Sequence, residues 1–498
     1  MSGKLSLAVR GIQDRWLTEQ PQYSHFISRF RRHTKFAFEQ VEIPFERFNE
    51  PGSEATARIQ NNTGDMLKGV TLSVDLPPPI PKNENNVSHT IARVPNSNDV
   101  LIDGVTKTSF TAYQGVEYTF TSTEEFEVQS GVNANDWSSQ QVANNQYILT
   151  LKIQVNISAT YTSTVIRPSN SSYHNNTVSL DVKQIRWDTS TPTKMIKYAD
   201  LIIGGQTIQR ITGDYIYMYN QLNYTDNDTT FTLVPTTLHN SYPIINDATN
   251  PQYTNFQKYK IQLPFYFNGH PSLAIPTCGL DVHIIEVKVK LKPADELTVE
   301  HDDSLSTYTK ITPITCDMSP RNMSLFCDFV YVTEDEKNFI RTRPIEYVIT
   351  QTQVAEIRMK AGVSSRAVMI NFKHPVKELF FLAKDDETKE HVPIKHVNLK
   401  FNNNTVIDAD NLMLSAEQPL RNYTNSIDPD NEFGVYSFSM KPGVHYPTGQ
   451  VNMSRVIHKL LEVELDDGIN STRSHTLHVY ATNYNVVRVN GGMAGLKF

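Results

Sequence analysis

Cysteine is nearly absent: Cys278, Cys316 and Cys327 are the only three in 498 residues. An odd, sparse count with no C-x-x-C pair excludes a disulfide framework and predicts buried thiols in a reducing compartment. Charge is also scarce at 20%, and the formal net charge of -7 excludes coating of nucleic acid by bulk charge. No apolar run reaches the ~18 residues of a membrane span. The opening Met1–Arg10 carries only Lys4 before a short apolar stretch and then meets Arg10, Asp14 and Arg15, so a secretory signal is not expected. Gly3 stands one place too late for N-myristoylation. Hydrophobic residues make up 39%, so the cores must be diluted by polar loops.

The patterns of catalysis are missing as well. No G-x-x-x-x-G-K-[ST], G-x-S-x-G or H-E-x-x-H occurs. Gly204-Gly205 follows Leu201-Ile-Ile203 with no third glycine, which predicts a strand–turn–strand hairpin. His283 and Glu286 fall on opposite faces of a strand and cannot share a metal. Asp428-Pro-Asp-Asn-Glu-Phe-Gly434 has its glycine misplaced for a calcium loop and reads as a turn. His301-Asp-Asp303 reads as an exposed loop. No cofactor or metal is expected.

What the chain has is alternation. Val70, Leu72, Val74 and Leu76 alternate with polar residues; so do Leu149, Leu151, Ile153, Val155 and Ile157, and Ile285, Val287, Val289 and Leu291. A period of two with one face buried describes antiparallel sheets stacked as sandwiches. Asn, Thr and Tyr stand where charge would be expected, which also suits strands and turns. Helical stretches are few: Glu334–Ile340, with an acidic start, and Gly213–Leu222, whose Tyr and Ile leave strand open. No βαβ alternation exists, so a doubly wound sheet is disfavoured.

The length requires more than one domain. Leu5, Val9, Ile12 and Trp16 are spaced as a short amphipathic arm that Pro21 ends, giving an N-terminal arm over 1–24. An aromatic and basic segment follows, with Arg29, Arg31, Arg32 and Lys35 on a solvated strand edge or a basic assembly face. Pro77-Pro-Pro-Ile-Pro81 ends a strand abruptly and opens an Asn-, Ser- and Thr-rich insertion over 78–192 that has strands of its own. A second composition change near Pro313–Met323 puts the main boundary between 25–320 and 325–498. The closing strand at Asn483 is expected to be short. No repeat is visible by residue identity, so any duplication must be structural.

About a dozen N-x-[ST] sequons occur. Asn86, Asn170, Asn175, Asn223 and Asn227 are the candidate glycosylation sites, and Asn156, Asn322, Asn422, Asn452 and Asn470 also fit the rule. A chain rich in Asn and Thr makes such triplets by chance, so the alternatives are a bare surface and a sugar-coated one.

Several segments in one order carry a resemblance. They are Pro21–Glu39, Ala199-Asp-Leu-Ile-Ile-Gly-Gly-Gln-Thr-Ile208, Leu263–Pro276, Asp328–Glu336, His374–Phe381, Lys441–Arg455 and the tail Asn483–Phe498 with its Gly-Gly-Met-Ala-Gly. Together they resemble the double jelly-roll major capsid proteins of nucleocytoplasmic large DNA viruses. The chain departs from that family's pattern mainly at 78–192, and Ala494 replaces a usual glycine.

The resemblance implies an all-β fold of two consecutive eight-stranded antiparallel jelly rolls, with a large β-containing insertion in the first. It implies a structural protein, not an enzyme: a homotrimeric pseudo-hexagonal capsomer tiling an icosahedral virion around a DNA genome. Its expected partners are neighbouring capsomers, minor capsid and penton proteins and a nearby internal membrane, without direct sequence-specific nucleic acid binding. It is expected in the virion, assembled in the host cytoplasm at viral factories. Trp16, Arg29, Arg31 and Arg32 would face inward on the arm, and the insertion outward. Two rivals remain. A secreted glycan-decorated lectin-like sandwich would need an entry signal and more cysteines. A β-sandwich glycosidase would need two facing carboxylates, and Glu286 and Asp430 have no discernible partner.

Overall fold

In a computed structural model of the chain, the described residues are 4, 7–8, 11–27, 32–46, 52, 54–76, 80–81, 88–113, 116–129, 137–152, 164–187, 191–223, 257–293, 296–302, 307–310, 316–317, 321–423, 427, 433–466 and 473–498. Strands dominate because the alternating segments bury every second side chain. Ile285–Leu291 and Lys459–Leu465 each bury their first, third, fifth and seventh residues.

The first roll consists of two four-stranded sheets. One runs Phe36–Pro44, Arg321–Val332, Met66–Leu76, Gln257–Gln262; the other runs Gln206–Ile211, Ile196–Ile203, Ile285–Leu291, Glu54–Ile59. Counted along the chain without the insertion, the sheet orders are 1-8-3-6 and 5-4-7-2. All pairings within these sheets are antiparallel. This is the Greek-key arrangement of a jelly roll.

The second roll repeats it. Ile345–Met359, His475–Asn490 and Pro375–Asp385 form one sheet, completed by the split sixth strand Gly434–Ser437 and Val451–Asn452. Ser365–Met369, Lys459–Leu465, Ile394–Phe401 and Asn404–Asp410 form the other. The orders are again 1-8-3-6 and 2-7-4-5. In both rolls a helical segment follows the fifth strand: Gly213–Asn223 in the first, and Met413–Glu417 running into Gln418–Asn422 in the second. The duplication is therefore structural, carried by topology and not by residue identity.

Several expectations are corrected. The second roll does not open at 325. Arg321–Val332 is the eighth strand of the first roll, with Leu325 opposite Leu72 and Cys327 opposite Val70. The composition change near 313–323 marks a loop inside the first roll. The helix Glu334–Thr342 then links the rolls, its Glu334, Asp335 and Glu336 at the positive end of the dipole and Arg341 in the last turn.

The insertion is also not confined to 78–192. Thr298–Asp302 pairs with Val178–Trp187, and Thr307–Lys310 pairs with Thr298–Asp302. Two loops of the first roll thus build one accessory body of two six-stranded sheets. His301 lies in a strand opposite Gln184, not in a loop, because Thr298–Asp302 pairs with a strand far away in sequence. Two of its pairings are parallel: Ser109–Tyr113 with Val178–Trp187, and Ser88–Arg93 with Glu117–Ser122. The strand expected through Ile157 is described as Gln146–Lys152, and Asn156 lies outside the described residues. The closing strand, His475–Asn490, has 16 residues and is not short; it pairs along its length with Ile345–Met359.

Two cores result. One fills the first roll and the accessory body and continues across to Phe380, Phe433, Tyr480, Val487 and Val489 of the second roll. The other fills the second roll between Ile357, Leu379, Leu399, Leu461 and Leu477. Each fully buried Leu or Phe contributes roughly 1.5–3 kcal/mol.

Candidate functional site

In a protein built this way, the surfaces that matter are the seam between the rolls and the two ends of the sheets. The helix Gly213–Asn223 occupies the seam. Thr212 caps it, its Oγ1 accepting from Tyr215 N–H at 3.2 Å. Eight of its 11 residues are buried, which a helix shows only when covered on most sides. Tyr215 meets Phe380 edge-on at 5.8 Å, Tyr217 meets Phe433 at 6.2 Å, and Thr212 donates to the Tyr480 hydroxyl at 3.2 Å.

At the helix start Asp214 lies 2.6 Å from Lys384 of the second roll and 3.5 Å from Lys292 of the first. Burial alone would raise the Asp214 carboxyl, but the two lysines hold it well below the usual carboxylate range. Burial pushes Lys384 down to about 8 against the pull of Asp214. His478 is also lowered, by burial and by Lys384. Burial raises Tyr215 and Tyr423 far above the ordinary phenol, with Glu378 adding to both.

The other end of the seam is latched by two Gly-Gly hairpins. Gly204-Gly205 and Gly491-Gly492 all have positive φ, as a two-residue hairpin turn of this hand requires. Between the tips runs the segment Asp281–His283. Val282 N–H donates to Gly492 O at 3.0 Å, and Ala494 N–H donates to His283 Nδ1 at 3.2 Å. A Cβ on Gly204 would stand 2.3 Å from the His283 ring. Leu496 N–H reaches Gln206 Oε1 at 3.4 Å. The tail that ends the chain is thus an inter-roll clasp.

The two ends of the first roll differ. Phe36 pairs with Val332, whereas Leu76 pairs with Gln257 at the far end of the same sheet. The arm enters at the first end and the insertion leaves at the second. The 11-residue strand Met66–Leu76 separates them by about 35 Å.

The residues singled out in the sequence distribute as follows. Trp16 lies in the short helix Ile12–Thr18, and Arg32 is exposed just before Phe36. Arg29, Arg31, Asn86 and Asn227 lie outside the described residues. Asn170 and Asn175 are exposed on a turn of the accessory body. Asn170 caps that turn, its Oδ1 accepting from Ser172 N–H at 3.0 Å. Asn223 is different: its Nδ2 donates to Tyr219 O at 2.8 Å. Cys278 and Cys327 are buried free thiols, pushed up by burial to about 11 and about 12. Among the described residues no group of three or more His, Cys, Asp or Glu is placed to hold a metal. The buried Asp214–Lys384–Lys292 cluster was missed by sequence reasoning, because its members lie far apart in the chain and follow no spacing rule.

Comparison with known proteins agrees with this architecture. The family model for the major capsid protein N-terminus matches residues 106–333, and the model for the large eukaryotic DNA virus major capsid protein matches 336–495. Their junction falls where the structure puts the boundary. The major capsid protein of Pyramimonas orientalis virus is 23% identical over 100% of this chain and 99% of its own length. Among solved structures, the PBCV-1 virus capsid quasi-atomic model superposes with a TM-score of 0.60 at 14% identity, covering 95% of this chain and 100% of that one. The Faustovirus major capsid protein gives 0.57 at 11% identity, covering 96% and 94%. With both halves matched by capsid models and both rolls sharing one strand order, the chain belongs to the major capsid protein family of large eukaryotic DNA viruses.

Proposed function

We propose that this chain is the structural brick of a virion shell, assembling as a homotrimer whose capsomers tile an icosahedral capsid around a DNA genome. The observation that carries the reading is the repetition of one sheet order in two rolls joined by a buried seam. Three such chains around one axis place six similar rolls in a ring, a pseudo-hexagonal outline that packs edge to edge. The curated relatives are structural major capsid proteins, and function here is assembly, not turnover.

The ends then take separate roles. The accessory body, with Asn170 and Asn175 exposed, faces outward and is the surface available for sugars. The arm with Trp16, Arg29, Arg31 and Arg32 faces inward, toward minor capsid proteins or an internal membrane. Neighbouring capsomers and penton proteins contact the flanks, and genome enclosure requires no sequence-specific contact to DNA. Assembly takes place at factories in the host cytoplasm. The opposite placement of arm and insertion on the Met66–Leu76 ladder supports the inward and outward roles.

Size-exclusion chromatography with light scattering tests the core of the proposal. A mass three times the chain's 56.6 kDa is expected, with three-fold particles in electron micrographs. A stable monomer at micromolar concentration overturns it.

A further inference from the structure

The seam sets the fifth strand of the first roll against the first strand of the second. Gln351 Nε2 donates to Ile208 O, and Thr352 Oγ1 donates to Arg210 O. The helix after that fifth strand then crosses onto the second roll, where Tyr215 meets Phe380 and Tyr480.

Each seam element has a counterpart on the other roll, and three shared bulges fix the correspondence residue by residue. Beside the fourth strand, the fifth skips Ile208 in the first roll and Val406 in the second. Beside the seventh, the fourth skips Lys197 and Lys395. Beside the eighth, the third skips Lys68 and Lys377. A bulge leaves one residue unpaired, so each pair of bulges sets the register around it. The helix caps agree: Tyr215 N–H donates to Thr212 Oγ1 and Met413 N–H to Asp410 Oδ1 at 2.9 Å, each three residues back. By this register Met413 stands for Tyr215, Thr71 for Phe380, Phe326 for Tyr480, and Gln40 for Thr352.

The counterparts of buried seam residues are bare. Ile208 is 1% exposed, Val406 39%. Ile349 is buried, whereas its counterpart Ala37 is exposed together with Phe38, Glu39 and Gln40. Eight of 11 residues of the seam helix are buried, but only four of the ten in Met413–Asn422. Leu412 and Leu420, 62% and 67% exposed, stand with Ala416 at four-residue spacing on one helix face. An apolar stripe in helical register on the outside of a chain is the mark of a contact surface.

We propose that the seam recurs between copies: the strand Asn404–Asp410 and the helix Met413–Asn422 of one chain dock on the first strand Phe36–Pro44 of the next, with Met413 against Phe326. This rests on the homotrimer reading and names its interface. Each chain carries one surface of each kind, a head-to-tail contact that three copies close into a ring. Gln40 donates to the carbonyl of Asp408 as Thr352 does to that of Arg210. The recurrence is not exact. Leu412 takes the place of Asp214, and Asp75, already bonded to Asn322 Nδ2 at 3.0 Å, takes that of Lys384. Glu39 replaces Gln351 and has no proton to donate. The contact between chains thus lacks the buried ion pair and rests on Leu412, Met413, Leu420 and Phe38.

Light scattering on the full chain tests it. Leu412→Glu with Leu420→Glu, and separately Phe38→Glu, change only exposed side chains. Each should keep the circular dichroism of the wild type while its mass falls from three chains to one, association requiring at least tenfold more protein. Val105→Glu, exposed on the accessory body, is the control and should remain three chains. Gln40→Cys combined with Asp408→Cys should give a covalent trimer on mild oxidation, seen on a non-reducing denaturing gel, and neither single cysteine variant should. A trimer that withstands the glutamate substitutions, or a double-cysteine chain that cross-links no more than the single ones, overturns this interface and leaves the shell reading standing. A wild-type monomer removes both.

Discussion

Asp214 and Lys384 come from different rolls, 170 positions apart in sequence, yet stand 2.6 Å apart in the seam. The pair is mostly shielded from solvent, and Lys292 leans on the same carboxylate at 3.5 Å. The seam is therefore electrostatically specific as well as apolar.

Asp214→Asn should destabilise the protein by about 3–5 kcal/mol, because it leaves two buried ammonium groups without their counter-charge. Denaturant unfolding measures it. Adding Lys384→Met to the same chain should recover part of the loss; a double variant no better than the single would refute the charge account. The folded Asp214 carboxyl is depressed below its unfolded value, so its stabilisation is present above about pH 4 and is lost as pH falls through the folded value.

Lys384 gives the opposite signature. Its ammonium is pushed down to about 8 in the fold, against about 10.4 in an unfolded chain. Between those values the unfolded chain holds more protons, so this group makes stability rise with pH from about 8 to 10. The difference between wild type and Lys384→Met, followed across that window, should carry the slope. Equal slopes in both proteins would remove Lys384 from the account.

Gly204→Ala should cost about 2 kcal/mol or more, from a left-handed φ of +58° together with a Cβ driven against His283. Gly443→Ala, where an added Cβ meets nothing within 4 Å, is the control and should be near neutral. Comparable losses at both positions in thermal unfolding would argue against the clasp.

The thiols of Cys278 and Cys327 should resist a thiol reagent until the protein unfolds, since burial keeps both protonated. Rapid labelling of either in the native protein, read by mass spectrometry of peptides, would contradict the packing described.

Glycan occupancy, where sugars are attached, should favour Asn170 and Asn175 over Asn223. The first two are exposed on a turn, whereas the Asn223 amide is already engaged at a helix end. Glycopeptide mapping that finds Asn223 modified and the other two bare would reverse the ranking.

Much of the fold was legible because it rests on period-two alternation. Val70–Leu76 and Ile285–Leu291 announce half-buried strands in any context, and Gly204-Gly205 announces its turn. The boundary was misplaced for a physical reason. Arg321–Val332 is apolar and follows a polar stretch, and nothing local says that its partners are Phe36–Pro44 and Met66–Leu76, about 290 and 250 residues earlier. The same limit hid the second half of the accessory body, since Thr298–Asp302 finds its neighbour only through the tertiary fold. The Asp214 cluster was out of reach altogether: three ionisable residues in unremarkable surroundings become a unit only when two rolls meet.

The Met66–Leu76 ladder has a consequence for how such a chain can change. It is a stiff spacer, anchored in a packed core, with the arm at one pole and the accessory body, which shares that core, at the other. Hairpin tips on that body, such as the turn at Pro95–Asn98, can be rewritten or lengthened without disturbing the opposite pole. Such a layout lets novelty accumulate at one pole over an unchanging chassis, and it would serve equally well for displaying foreign peptides.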